Sequence, residues 1–194
     1  MRRLLLPVLT IIALWTWAGC EPERGPAVLE SGLDIDSSRL RPGLLLTVQE
    51  GTHDPAGRAE PAPATGEGVV PRVQYPDIGR TEPITLRFRG YLRVPFDDLY
   101  IFEITSYDSV QLFLNDRLIL AGSRADHDSP VSGATGLAKG HHRLRLLSVH
   151  RGDRRDLELR VRRSDGPYET VPDRWYYVDD PLAADEDLPL TDAP

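Results

Sequence analysis

The stretch that decides the fold is "LRFRGYLRVPFDDLYIFEITSYDSVQLFLNDRLI", residues 86–119. Carried back two residues, its first arm runs from Ile84 to Val94. Ile84, Leu86, Phe88, Gly90, Leu92 and Val94 fall on one side; Thr85, Arg87, Arg89, Tyr91 and Arg93 fall on the other. Successive side chains of a strand point to opposite faces, so a period of two over this length predicts a strand with one buried and one wet face. Pro95 ends it, because proline cannot donate to a ladder, and Phe96-Asp97-Asp98 supplies turn chemistry. Tyr100, Phe102 and Ile104 then alternate against Glu103 and Thr105 as the second arm of a hairpin. Val110, Leu112 and Leu114 repeat the pattern, and Asn115-Asp116 makes a turn before Leu118-Ile119-Leu120.

The same alternation continues outward. Leu144 and Leu146 alternate with Arg143 and Arg145; Leu157, Leu159 and Val161 alternate with Glu158, Arg160 and Arg162. Upstream, Leu44 to Val48 and Val69 to Tyr75 read as strands on either side of a Pro-, Ala- and Gly-rich loop. No stretch carries a convincing helical period. Many short strands at close spacing predict an all-β fold, an antiparallel β-sandwich or barrel.

With these strands in hand, the 86–119 stretch closely resembles the core of the protective-antigen-type (PA-14) domain. A Gly-Tyr-Leu strand, a Pro-acidic turn, a Tyr-x-Phe strand, a Ser-x-Asp corner and a Leu-x-Leu strand with its turn follow in that family's order. "PGLLLTVQEG" from Pro42 resembles the family's opening strand, and "LAKGHHRLRLLSVHRGDRRDLELRV" its Lys-Gly-His strand pair. The resemblance spans residues 42–178 and implies a β-sandwich or β-barrel module of the kind found in bacterial toxins, glycosidases and fungal adhesins. Ser109 and Arg117 stand where the family often has glycine. Fungal adhesins of the family hold sugars through a calcium bound by a tandem aspartate pair in a loop. Asp97-Asp98 is the one promising pair outside the acidic tail, but it occupies the hairpin corner, so that signature is not carried over.

The two ends of the chain read differently. Arg2-Arg3 followed by an apolar run from Leu4 to Trp17 predicts a secretory signal over residues 1–19, too short to span a bilayer. Trp17-Ala18-Gly19-Cys20 resembles the bacterial lipobox, with Trp17 in place of the usual aliphatic residue. Cys20 is the only cysteine, so no intramolecular disulfide forms, and acylation (palmitate among the acyl chains) accounts for a lone thiol in an exported protein. Two or more acyl chains give a stable membrane anchor. Residues 20–41 are expected to be the lipidated cysteine and a flexible tether, and residues 179–194, with six acidic and no basic residues, an acidic disordered tail. By analogy with lipoproteins, Glu21 directs the chain to the outer membrane of the cell envelope. Removing Met1 to Gly19 moves the formal net charge from −7 to −9, which argues against nucleic-acid binding.

Three polar groups compete for a ligand role. Asp126-His127-Asp128 is either a solvated turn or, with Asp108 or Asn115, part of a Ca²⁺ site built from carboxylate and carbonyl oxygens. Asp108 at its strand corner is expected to bond backbone amides, and Asn115-Asp116 to shape the next hairpin. Arg151 to Arg163 holds six arginines against three acids. Arg160 and Arg162 within it are either a wet strand face or an anion-binding surface. His141-His142 point to opposite faces of a strand and so serve one zinc ion poorly. Arg151-Gly152-Asp153 reads as coincidence.

No nucleophile motif, phosphate loop or His-Glu-x-x-His is present, so an enzyme is not expected. In the family this module usually accompanies a separate catalytic domain. The expected function is therefore that of a lipid-anchored envelope protein with a carbohydrate-binding module. The alternative is a structural or assembly component that docks on another envelope protein.

Overall fold

The computed structural model describes residues 29–51, 63–78, 83–106, 108–122, 130–151, 155–164 and 166–180. The expected signal segment, Cys20, the Asp126-His127-Asp128 group and nearly all of the acidic tail lie outside them. Twelve strands form in chain order: β1 Leu40–Pro42, β2 Leu44–Glu50, β3 Ala64–Val70, β4 Ile84–Val94, β5 Asp98–Ser106, β6 Val110–Leu114, β7 Arg117–Gly122, β8 Val131–Leu137, β9 Gly140–His150, β10 Leu157–Arg163, β11 Glu169–Thr170 and β12 Tyr176–Asp179. All ladders between these strands are antiparallel.

The strands make two sheets. In the larger, eight-stranded sheet the order is β1-β12-β4-β9-β6-β7, with β2 added to β4 and β3 to β2; the four-stranded sheet runs β11-β10-β5-β8. Alternation predicts the packing. Leu86, Phe88 and Leu92 of β4, Leu112 and Leu114 of β6 and Leu144 and Leu146 of β9 are buried from the large sheet. Tyr100, Phe102 and Ile104 of β5 and Leu157, Leu159 and Val161 of β10 are buried from the small one. These inner faces interdigitate as one core, as two packed sheets require. Tyr100 keeps its hydroxyl satisfied by donating to the Phe96 carbonyl at 2.8 Å. Burial pushes the Tyr176 phenol up.

β4 changes partner along its length. Ile84 to Arg89 pair with β2, whereas Tyr91 and Leu92 pair with β12. Gly90 sits at the change: a Cβ there would run into the Tyr177 carbonyl oxygen and, at 2.8 Å, into Leu44 Cδ2. Glycine in mid-strand normally weakens a ladder, and here close approach of another backbone is the reason for it.

Three segments depart from the sequence reading. β8, "VSGATGL", has only small residues between Val131 and Leu137 because the edges of the two sheets close at this place: a Cβ on Gly133 would meet the Ile119 carbonyl oxygen of β7. β3 covers Ala64–Val70, earlier than the strand expected over Val69 to Tyr75. It is an exposed edge paired only to β2, so no core face imposed a period on it. Part of the segment expected as a tether is instead attached to the fold. Glu30 bridges to Leu137 and Leu33 to His141, β1 pairs with β12, and Asp36 caps a short 3-10 turn by accepting from Ser38 N–H. No helix among the described residues is long and apolar enough to cross a membrane.

Gly90→Ala is expected to destabilise the domain by about 1–3 kcal/mol through overpacking. Gly68→Ala, where nothing lies within 4 Å of the added Cβ, should be neutral or stabilising by up to ~1 kcal/mol. Urea denaturation of the two variants checks this, and equal midpoints would contradict the close approach at Gly90.

Candidate ligand-binding cleft

The sequence-predicted residues separate into different places. Asp108, 3% exposed, sits at the β5–β6 corner, where its carboxylate accepts from the Arg151 backbone N–H at 2.8 Å. Asn115 lies at the opposite end of β6. It and Asp116 both have positive φ, 49° and 64°, as a tight β6–β7 hairpin demands. Its side-chain amide faces the Glu30 carboxylate at 3.2 Å and His142 Nδ1 at 3.0 Å, and its oxygen accepts from the Arg143 N–H at 3.0 Å. Asp108 and Asn115 therefore join no common site, and both are engaged in holding backbone and neighbouring side chains. Among the described residues no three His, Cys, Asp or Glu side chains are grouped to hold a metal. His142 is fully buried with Nε2 2.8 Å from the Ala138 carbonyl, whereas His141 on the other face stands edge-on to Tyr177. Burial, then Arg93, holds the His141 imidazole below its usual range. Asp97 accepts from the Lys139 N–H at 2.6 Å, and Asp98 accepts from its neighbour Leu99 N–H at 2.7 Å. Both are committed to the hairpin corner.

Arg160 and Arg162 lie on the outer face of β10, and both guanidinium groups stack over Tyr168, at 5.6 and 5.1 Å. They differ in electrostatic company. Arg160 pairs with Glu103 at 3.0 Å. Arg162 donates to the Ser164 carbonyl at 2.9 Å, and its Nε–H is buried with no hydrogen-bond partner among the described residues.

Beyond Arg162 the β4–β5 corner and the chain from Gly166 to Trp175 enclose a surface cleft of about 430 Å³. Phe96, 56% exposed, and Trp175 contribute aromatic surface, and Arg162, Arg163, Arg174 and Glu169 supply the charged side chains. Trp175 is anchored edge-on against the buried Tyr100, with ring centroids 6.2 Å apart. The Arg163 guanidinium lies 5.0 Å over the Phe96 ring. A concave site with aromatic walls and a few charged hydrogen-bonding groups is the usual form of a small-ligand pocket. Of its residues, sequence reading had put forward Arg162 as a ligand candidate and Phe96 as turn chemistry. Phe96 and Trp175 stand 79 positions apart, and no local pattern joins them.

A second arginine face occupies the outside of the large sheet. Register puts Val69, Leu45, Arg89, Arg145, Phe113 and Leu118 in one row across six strands. Here Arg143 and Arg145 share a close counter-charge, and Arg89 has a more distant one. Asp116 pairs with Arg143 at 3.1 Å and with Arg145 at 3.2 Å, and Glu67 lies 3.9 Å from Arg89.

The two-sheet β-sandwich with these corners defines an all-β module of a known class. Residues 79–175 match the family model for the PA14 domain, and the chain belongs to that family. No curated protein matches it in sequence. Among solved structures the fold is similar to the epithelial adhesin 9 A domain of Candida glabrata in complex with Galb1-3GlcNAc, at 11% identity and TM-score 0.64, over 80% of this chain and 97% of that one. It is also similar to the PA14 sugar-binding domain from an RTX adhesin, at 13% identity and TM-score 0.55, over 72% of this chain and 98% of that one. An anti-sigma factor domain-containing protein from Clostridium clariflavum matches at 14% identity and TM-score 0.58, over 73% of this chain. The chain spans about half the length of the anti-sigma factor domain-containing proteins it matches. At these identities the likeness is one of fold.

Asp108→Ala removes an acceptor from a buried corner and should cost about 1–3 kcal/mol. Asp116→Asn, which tolerates the positive φ and removes the charge of a side chain 56% exposed, should cost under ~1 kcal/mol. Thermal melts of both variants measure the difference, and a tolerant Asp108 would contradict its structural role.

Proposed function

We propose that this chain is a carbohydrate-binding module displayed at the cell envelope, with its ligand held in the cleft between the β4–β5 corner and Trp175. The observation that carries the reading is the meeting of Phe96 and Trp175 with Arg162, Arg163, Arg174 and Glu169 around one concavity. Aromatic rings offer the apolar faces on which pyranose C–H surfaces stack, and guanidinium forks give paired donors to vicinal hydroxyls. The sugar complex of the similar epithelial adhesin domain and the sugar-binding PA14 domain of the RTX adhesin support the ligand class. The module acts by binding alone, and no catalytic role is assigned to it.

Attachment in this reading is through acylated Cys20, with export directed by residues 1–19 and delivery to the outer membrane. A second reading, docking on another envelope protein, is favoured by the row from Val69 to Leu118, whose ends are 40% and 49% exposed.

A glycan array followed by calorimetry tests the first reading. Phe96→Ala and Arg174→Ala should each weaken glycan binding at least ~10-fold, about 1.4 kcal/mol, with an unchanged melting temperature. Unaltered binding in both variants would move the ligand elsewhere. Capture of a single envelope protein, lost in Leu118→Asp, would support the second reading. For the anchor, incorporation of labelled palmitate should disappear in Cys20→Ser, and retained label would refute it.

A further inference from the structure

We infer that the ligand of this cleft is an acidic saccharide, and that a sugar carboxylate of the uronate type is what Arg162, Arg163 and Arg174 select. The inference rests on the cleft being the sugar site. Three guanidinium groups and one carboxylate, Glu169, line it. The chain as a whole carries a formal net charge of −7, so this concentration of positive charge runs against the molecule's own balance. Hydroxyl groups of a neutral sugar hydrogen-bond to such donors but leave their mutual repulsion standing. A carboxylate relieves it and accepts two parallel N–H bonds from one guanidinium.

The contrast along β10 sharpens the case. Arg160 and Arg162 share a strand face and the Tyr168 ring, yet Arg160 is neutralised by Glu103, 15% exposed, while Arg162 has no carboxylate within ion-pair distance among the described residues. Arg162 is nonetheless held in place, by Tyr168 below it and by the Ser164 carbonyl. Holding a charged group rigid beside an open cleft, with no carboxylate of the described residues paired to it, is the arrangement expected where a ligand supplies the counter-charge. Arg163 reaches Asp98 only at 3.9 Å and stacks on Phe96, so its charge too is weakly answered. Arg174 is exposed and makes no ion pair among the described residues. Arg143 and Arg145 of the large sheet, by contrast, each have the Asp116 carboxylate within close ion-pair distance.

The test compares tetragalacturonic acid with its fully methyl-esterified form, which keeps the shape and loses the charge, by calorimetry on the folded chain. The acid should bind at least ~10-fold more tightly than the ester, and the gap should shrink on raising the salt, since exposed charge pairs are screened. Arg174→Gln should narrow the gap mainly by weakening the acid. Phe96→Ala should weaken acid and ester alike. Equal affinity for acid and ester, or binding of neutral glycans with no acidic preference, would overturn the inference while leaving a sugar-binding cleft in place. Inorganic phosphate that binds as tightly as the tetrasaccharide would also overturn it, showing an anion site without sugar recognition. Failure of every glycan on the array would remove the proposed function and the inference together.

Discussion

The eleven-residue ladder between β4 and β9 is the constraint on which the rest of the structure depends. It pairs Ile84 with His150 at one end and Val94 with Gly140 at the other, and its register places Phe88 opposite Leu146 and Arg89 opposite Arg145. Because side chains alternate with a period of two, a slip of one residue would exchange the apolar and charged faces of both strands. Every other strand of the large sheet is positioned from this pair: β2 and β12 divide the free edge of β4 between them, and β6 and then β7 extend from β9. The inner residues so arranged are those that receive Tyr100, Phe102 and Ile104 from the small sheet. The ladder thus determines where the core lies and which arginines reach water.

Polar residues are spent mostly on keeping this frame in shape. The Glu30 carboxylate pairs with Arg117 at 2.5 Å and meets the Asn115 amide, which in turn faces the buried His142. The chain entering the domain is thereby tied to the β6–β7 hairpin and to β9, with no large apolar contact needed. Asp108 does the same work at the other end of β6. Both residues had the chemistry of a ligand site, yet their acceptor and donor groups are directed at the protein's own backbone and side chains. Buried polar groups of this kind are expected to be satisfied internally, since leaving them unpaired is costly.

The cleft follows the opposite rule. At the end of the small sheet the chain between Gly166 and Trp175 folds over against the β4–β5 corner, and among the described residues the carboxylates that neutralise Arg160 and Arg143 have no counterpart within ion-pair distance of Arg162 or Arg174. Trp175 is steadied by Tyr100, so a core residue supports a wall of the cleft directly. The proposed binding site accordingly sits at a corner of the sandwich, where rigid strand ends hold side chains drawn from distant parts of the sequence.

Alternation alone determined a great deal: β2, β4, β5, β6, β7, β9 and β10, the all-β class, the burial of one face of each strand, and the turn at Asn115-Asp116. These are local, since a strand's two faces and a tight turn's positive φ are written in adjacent residues. β3, β8, β12 and the attachment of Glu30 to Asn115 were decided by tertiary structure. β3 is exposed, the middle of β8 is small, β12 is only four residues long and Glu30 is polar, so what they do depends on a neighbour's edge or carbonyl, as at Gly133 beside Ile119. The candidate site divides the same way. That β10 carries an arginine-rich face is legible in the chain. Which arginine finds a carboxylate, and which is left facing a cleft with Phe96 and Trp175, depends on pairing across strands and corners, a distance relation that no linear spacing encodes.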